Sequence, residues 1–105
     1  MTIPRRGSPV RGSKSGRPLM VALDLLGRRW ALRVIWELRE GPLSFRGLRA
    51  RCDDVSPTSL NTRLAELKAA GIVEVTEAGY ALSKSGVALL AALKPLDGWA
   101  KRWVR

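Results

Sequence analysis

Residues 42–75 read PLSFRGLRARCDDVSPTSLNTRLAELKAAGIVEV. The stretch predicts two short helices joined by a tight turn, then a strand. Ser44 is placed to cap the first of them, with Phe45, Leu48 and Cys52 facing inward, and Asp53-Asp54 break it. Ser56 followed by Pro57 is a strong helix start, because the hydroxyl accepts an orphan N–H and proline fits the first turn. From residue 57 to about 70, Leu60, Leu64 and Leu67 fall at i, i+4 and i+7 and form one buried stripe. Gly71 stops this helix, and Ile72, Val73 and Val75 begin an extended segment.

With the leucine stripe inward, Thr58, Thr62, Ala65, Glu66 and Ala69 point away from the core. Ser59 and Asn61 flank that face and Arg63 lies near the stripe's edge. Short hydroxyl and amide side chains suit a DNA groove: they allow close approach and match base edges, as arginine does guanine and asparagine adenine. The plainer alternative is a solvated helix face, which Glu66 fits at least as well as DNA contact. Around this helix, Arg28 and Arg29 open the second helix, and Ser44, Arg46, Arg49 and Arg51 lie at or on the third, where phosphate contacts are expected. Thr58, Ser59, Asn61, Thr62, Arg63, Arg28, Arg29, Ser44 and Arg46 are the candidate DNA contacts.

Outward from this stretch, residues 19–26 (LMVALDLL) predict a helix ended by Gly27, with Asp24 its only charge. A second helix over about residues 29–39 buries Trp30, Val34 and Leu38, with Ala31 and Ile35 beside them. Leu43 is placed for a strand of one or two residues. Glu77-Ala78-Gly79 turns the chain into a return strand at Tyr80-Ala81-Leu82. Ser83 caps a last helix carrying VALLAAL, which Pro95 is expected to end or kink and Gly98 to weaken. The fold class is mainly α with a small β-hairpin wing: a winged helix-turn-helix. The first and last helices are too apolar for a lone domain. Packing against a second copy through Leu19, Val21, Leu23, Leu26, Leu89, Leu93, Leu96, Trp99 and Trp103 resolves this, and a symmetric homodimer is the simplest such arrangement. Trp30 and Trp36 are assigned to the core; an aromatic ligand pocket is the weaker reading of the four tryptophans.

The chain of 105 residues is one domain by length, with 19 Lys and Arg against 9 Asp and Glu and a net charge of +10. Residues 1–18 hold Arg5, Arg6, Arg11, Lys14 and Arg17 and no acid, among Pro, Gly and Ser. They read as a disordered basic arm, either a DNA-tracking segment or a solubilising tail, ahead of a folded domain over residues 19–105. The charge implies a polyanionic partner: double-stranded DNA first, an anionic membrane surface second. With no His and one Cys, no zinc cluster and no His-activated nucleophile is available, and no glycine-rich nucleotide motif appears. An enzyme is therefore disfavoured, and no cofactor or metal is expected. A single cysteine suits a reducing cytoplasm, with nucleoid association through DNA. No secretion signal or membrane span is evident. Cys52 reads as core packing rather than a redox switch, since Asp53 and Asp54 raise a neighbouring thiol's pKa.

Six segments carry a resemblance. Gly27-Arg28-Arg29-Trp30-Ala31-Leu32, with Trp36-Glu37-Leu38 and Gly41-Pro42-Leu43-Ser44-Phe45, is similar to the start of HxlR-type winged helix-turn-helix regulators, relatives of the MarR group. The run from Val55 to Leu67 resembles their recognition helix. Gly71-Ile72-Val73-Glu74 and Leu82-Ser83-Lys84-Ser85-Gly86 resemble the strand after it and the start of the last helix. The similarity spans about residues 21–103. It implies a homodimeric bacterial transcription factor, paired through its first and last helices, with Arg63 and the outer face of the recognition helix on DNA. Two features depart from the family. The cysteine usual just before the first helix is absent from Ser15-Gly16-Arg17-Pro18-Leu19, and Cys52 stands where the family has an apolar core residue. The wing is shorter, with acidic Glu77 at its tip.

The reading is a sequence-specific DNA-binding regulator, a repressor rather than an activator, on a pseudo-palindromic operator. A winged-helix protein-interaction module and a non-specific DNA-binding protein are the competing classes. The operator and any small-molecule effector are not legible.

Overall fold

Three serines set the helix starts that matter most. In a computed structural model describing residues 17–104, Ser44 Oγ accepts a hydrogen bond from Gly47 N (3.0 Å), Ser56 Oγ from Ser59 N (3.1 Å) and Ser83 Oγ from Gly86 N (3.0 Å). Each satisfies an amide that the helix itself leaves without an acceptor. The chain runs α1 (Pro18–Leu26), α2 (Ala31–Glu37), α3 (Phe45–Arg51), α4 (Pro57–Ala69), β1 (Val73–Thr76), β2 (Gly79–Leu82) and α5 (Lys84–Trp103). This is the expected order of a mainly helical fold with one antiparallel hairpin. Most of the basic arm, residues 1–16, lies outside the described residues, as does Arg105; of that segment, Pro18 belongs to the first turn of α1.

The leucine stripe of α4 is the centre of the core. Leu60, Leu64 and Leu67 are buried together with Val34, Ile35 and Leu38 of the α2 region, Leu48 and Cys52 of the α3 region, and Ile72 and Val73 after α4. The α3–α4 turn is fixed by Asp53 and Asp54, both left-handed (φ 55° and 56°), a region that aspartate tolerates better than most residues. Arg49 Nε donates to the Val55 carbonyl across the same turn (2.7 Å). This linkage sets α4 relative to α3.

β1 and β2 pair in the register Val73↔Leu82 to Thr76↔Gly79, and Leu43 adds a single bridge to Tyr80. Gly79 is required there: it has φ 122°, and a Cβ would collide with the Leu43 carbonyl. Gly86 is equally confined, because a Cβ would strike the Ile72 carbonyl where α5 leaves the hairpin.

Two expectations are corrected. The second helix does not begin at residue 29: Trp30 is left-handed (φ 74°), so Arg28 and Arg29 belong to the turn before it. Its last turn instead unwinds after Glu37, where Arg39 Nη1 donates to the Trp36 carbonyl (3.0 Å) and stacks over the Trp36 ring. The last helix does not stop at Pro95. It continues unbroken for 20 residues to Trp103. Pro95 and Ala91, the residue whose carbonyl loses its donor, are both exposed, so the missing bond falls on the solvent side of the helix, while Leu90 and Leu93 hold the helix to the core.

Not all of the apolar surface on the first and last helices is open. Leu26, Leu89 and Leu93 pack on this chain's own core, and Val21 is half-buried. Leu19, Leu23, Leu96, Trp99 and Trp103 remain exposed, the two tryptophans stacked at 5.2 Å. Trp30 packs partly against the core, as expected; Trp36 is only half-buried.

Candidate nucleic-acid interface

The outer side of α4 is narrower than a helical wheel implies. Thr58, Asn61 and Ala65 are exposed, and Thr62 is half-buried between them. Ser59 is also half-buried, and its hydroxyl accepts from Ser56 Oγ (2.9 Å) within the capped first turn. Side chains on this face are short, with hydroxyl, methyl and amide groups, so the helix backbone can come close to a groove floor. No carboxylate stands among them, because Glu66 is not there.

Glu66 is the main correction. Expected on the outer face, it is 3% exposed. Arg28 reaches across from the α1–α2 turn and donates from Nη1 to Glu66 Oε2 (2.9 Å), and from Nη2 to Asp24 Oδ2 (2.9 Å). Arg63 Nη1 pairs with the other Glu66 oxygen, Oε1. Side-chain exposure is 10% for Asp24, 9% for Arg28, 4% for Glu66 and 14% for Arg63. Two guanidinium groups and two carboxylates thus form one neutral, dry chain along the flank of α4. Arg28, expected at a phosphate, is enclosed in it. Arg63, expected at a base or phosphate, is turned toward Glu66 rather than outward. No local sequence signal links residues 38 apart; the only hint was the odd placement of Asp24 in an otherwise apolar helix.

The other candidates divide. Arg29 and Arg46 are exposed, and Arg29 lies 5.9 Å from the Trp30 ring centre. Ser44 is exposed, with its hydroxyl engaged as the α3 cap. The hairpin tip, Glu77 and Ala78, is exposed and short, and Glu74 adds a second acid along β1. Two acids make that surface unfavourable for phosphate, whereas Arg29 and Arg46 offer exposed positive charge.

Cys52 is fully buried. Burial pushes its thiol pKa up; Arg33 opposes this, while Glu37 and Asp53 add to it. The thiol is therefore kept protonated, a poor nucleophile in the core position expected for it. Arg33, hydrogen-bonded to Glu37 (2.7 Å), has its own pKa raised by that bond. Among the described residues there is no cluster of His, Cys, Asp or Glu able to hold a metal ion, and no helix is long and apolar enough to cross a membrane.

Comparison with known proteins agrees with this geometry. The HxlR-like helix-turn-helix family model matches residues 25–105. The chain is 29% identical over 90 residues to the HTH-type transcriptional regulator YvaP of Bacillus subtilis, covering 79% of this chain and 83% of that one. It is 32% identical over 89 residues to the HTH-type transcriptional regulator YodB of the same organism, covering 78% and 80%. The quinone-bound YodB structure superposes with a TM-score of 0.73 at 33% identity, over 80% of this chain and 96% of that chain. Reduced YodB superposes with a TM-score of 0.69 at the same identity, over 81% and 91%. The capped α4, the short wing and α5 all fall within the span matched by the family model, and the chain belongs to the HxlR-like helix-turn-helix family, as a transcriptional regulator with a helix-turn-helix DNA-binding domain rather than an enzyme.

Proposed function

We propose that this regulator is a homodimeric repressor that acts in the cytoplasm on a pseudo-palindromic operator, with the N-terminal half of α4 in the major groove. The observation that carries the reading is the bare outer face of α4. Thr58, Asn61, Thr62 and Ala65 sit on a helix with a firm cap, and no charge of either sign stands among them. Asn61 reads a base edge, Thr58 and Thr62 meet phosphate or thymine methyl, and Arg29 and Arg46 neutralise phosphates at the rim. Pairing uses Leu19 and Leu23 on α1 and Leu96, Trp99 and Trp103 on α5, a set of large apolar side chains that this chain leaves exposed. A two-fold dimer then presents two α4 helices about one DNA turn apart, roughly 34 Å.

YodB is known in a quinone-bound form. In this chain the one cysteine is buried with its thiol held protonated, so a signal received at Cys52 forms no part of the reading.

The test is equilibrium binding of the purified protein to the duplex upstream of its own gene, against a scrambled competitor, across a salt series. The expected result is binding that survives competitor at physiological salt, with two chains per duplex and two protected half-sites. Binding that disappears with any competitor would leave a basic protein without sequence preference. Binding of one chain per site would remove the dimer.

A further inference from the structure

The buried ionic chain joins two helices that the proposed function uses differently. Asp24 lies in the last turn of α1, and Arg28 just beyond it; Glu66 and Arg63 belong to α4. Arg28 links them, holding Asp24 and Glu66 at 2.9 Å each. In so dry a setting each charge depends on its partner, since removal of one leaves another buried without compensation. Neither Asp24 nor Arg28 lies on the helix face that would meet DNA. Yet their grip fixes the flank of α4, and α1 also bears the exposed Leu19 and Leu23.

We infer that Asp24 and Arg28 are positioning residues for DNA reading: through Glu66 they set the rotation of α4 about its axis, and Glu66 holds Arg63 away from the groove. The inference rests on α4 being the DNA-reading helix. It gives α1 a second role. The spacing of two reading helices in a dimer is carried from the pairing helix to α4 by a charged clamp instead of apolar packing alone. It also limits non-specific affinity, because the Arg63 charge is neutralised internally rather than offered to any phosphate.

The sign of the effect separates this from generic electrostatics. Asp24→Asn makes the protein more positive, which by itself strengthens binding to any DNA. A loosened clamp does the opposite to discrimination. The experiment uses the full chain. A preferred duplex is first enriched from a randomised library with the wild-type protein. Affinities for that duplex and a scrambled one are then measured over a salt series for wild type, Asp24→Asn and Asp24→Glu, well below their melting temperatures. Amide exchange of α4 is followed in the free proteins.

In Asp24→Asn the preference for the enriched duplex is expected to fall roughly tenfold, within the range of coupling between linked sites. Its salt slope on that duplex should stay unchanged, because no phosphate contact is lost, and the α4 amides should exchange faster than those of α3. Asp24→Glu, which keeps the charge, should recover most of the preference. Undiminished preference in Asp24→Asn, unaltered α4 exchange, or a preference that stays as low in Asp24→Glu would each overturn the clamp. A library that yields no preferred sequence would overturn the reading of α4 itself, and with it the clamp's role in recognition; α4 exchange would still report whether the mechanical link exists.

Discussion

Replacing Arg28 by methionine is expected to lower the unfolding free energy by about 3–5 kcal/mol, the usual cost of breaking a buried ion pair from one side. The change keeps the apolar stem and removes the guanidinium that bridges Asp24 and Glu66, which are 10% and 4% exposed, leaving Glu66 to Arg63 and Asp24 without that cation. In a domain with a total stability of roughly 5–15 kcal/mol, this is a large fraction. The melting midpoint should fall by more than about 10 °C, since each kcal/mol is worth several degrees at this size. Combining Arg28→Met with Asp24→Asn should restore most of the loss, because the Glu66–Arg63 pair stays intact and the stranded carboxylate is neutralised, the cost coming from charge and not from missing bulk. Thermal and urea denaturation of the two variants decide the matter. A small effect of Arg28→Met alone would mean that water reaches both carboxylates and the chain is not a clamp.

Leu60→Ala should be of similar size, about 2–5 kcal/mol, for a different reason. Leu60 is completely buried at the start of the α4 stripe, in contact with the cluster that includes Val34, Ile35 and Leu48. Truncation removes apolar burial and leaves a cavity between α4 and the helices beneath it. The neighbours of Leu60 in sequence are Ser59 and Asn61, so the cavity lies directly under the proposed reading surface. Urea denaturation should show a lower midpoint with an unchanged slope, the sign of lost stability without a change in the surface exposed on unfolding. A cost below about 1 kcal/mol would point to a loosely packed α4 able to collapse onto the gap.

These two positions also show what the sequence discloses and what it withholds. Leu60 was legible because its signal is local: an i, i+4, i+7 stripe behind a Ser-Pro start. The same holds for Ser44 and Ser83, whose capping bonds need only three residues of chain. Arg28 was misjudged because its partners depend on tertiary approach. Two adjacent arginines at a helix start look like phosphate contacts, and only the approach of the α1–α2 turn to Glu66 of α4 shows that one of them turns inward. Glu66 was misplaced for the same reason: angular distance from the leucine stripe gives direction, but another element can cover that direction. Pro95 shows the converse, a local rule outweighed by packing, where one lost hydrogen bond on an exposed face did not stop a helix anchored by Leu90 and Leu93. For the candidate interface, the exposure of Thr58 and Asn61 follows from the position of the leucine stripe, whereas the enclosure of Arg28, and the turning of Arg63 toward Glu66, required the fold.

The most direct test of the account is the base-preference profile of Asn61→Ala against wild type, measured by enrichment from randomised duplexes. Asn61 is exposed on the outer face of α4 and helps no part of the core. Loss of its amide should erase preference at a single position of each half-site, worth roughly 1–3 kcal/mol, with neighbouring positions and the salt slope retained. A variant that enriches the same sequence with the same profile as wild type would contradict the claim that the outer face of α4 reads DNA.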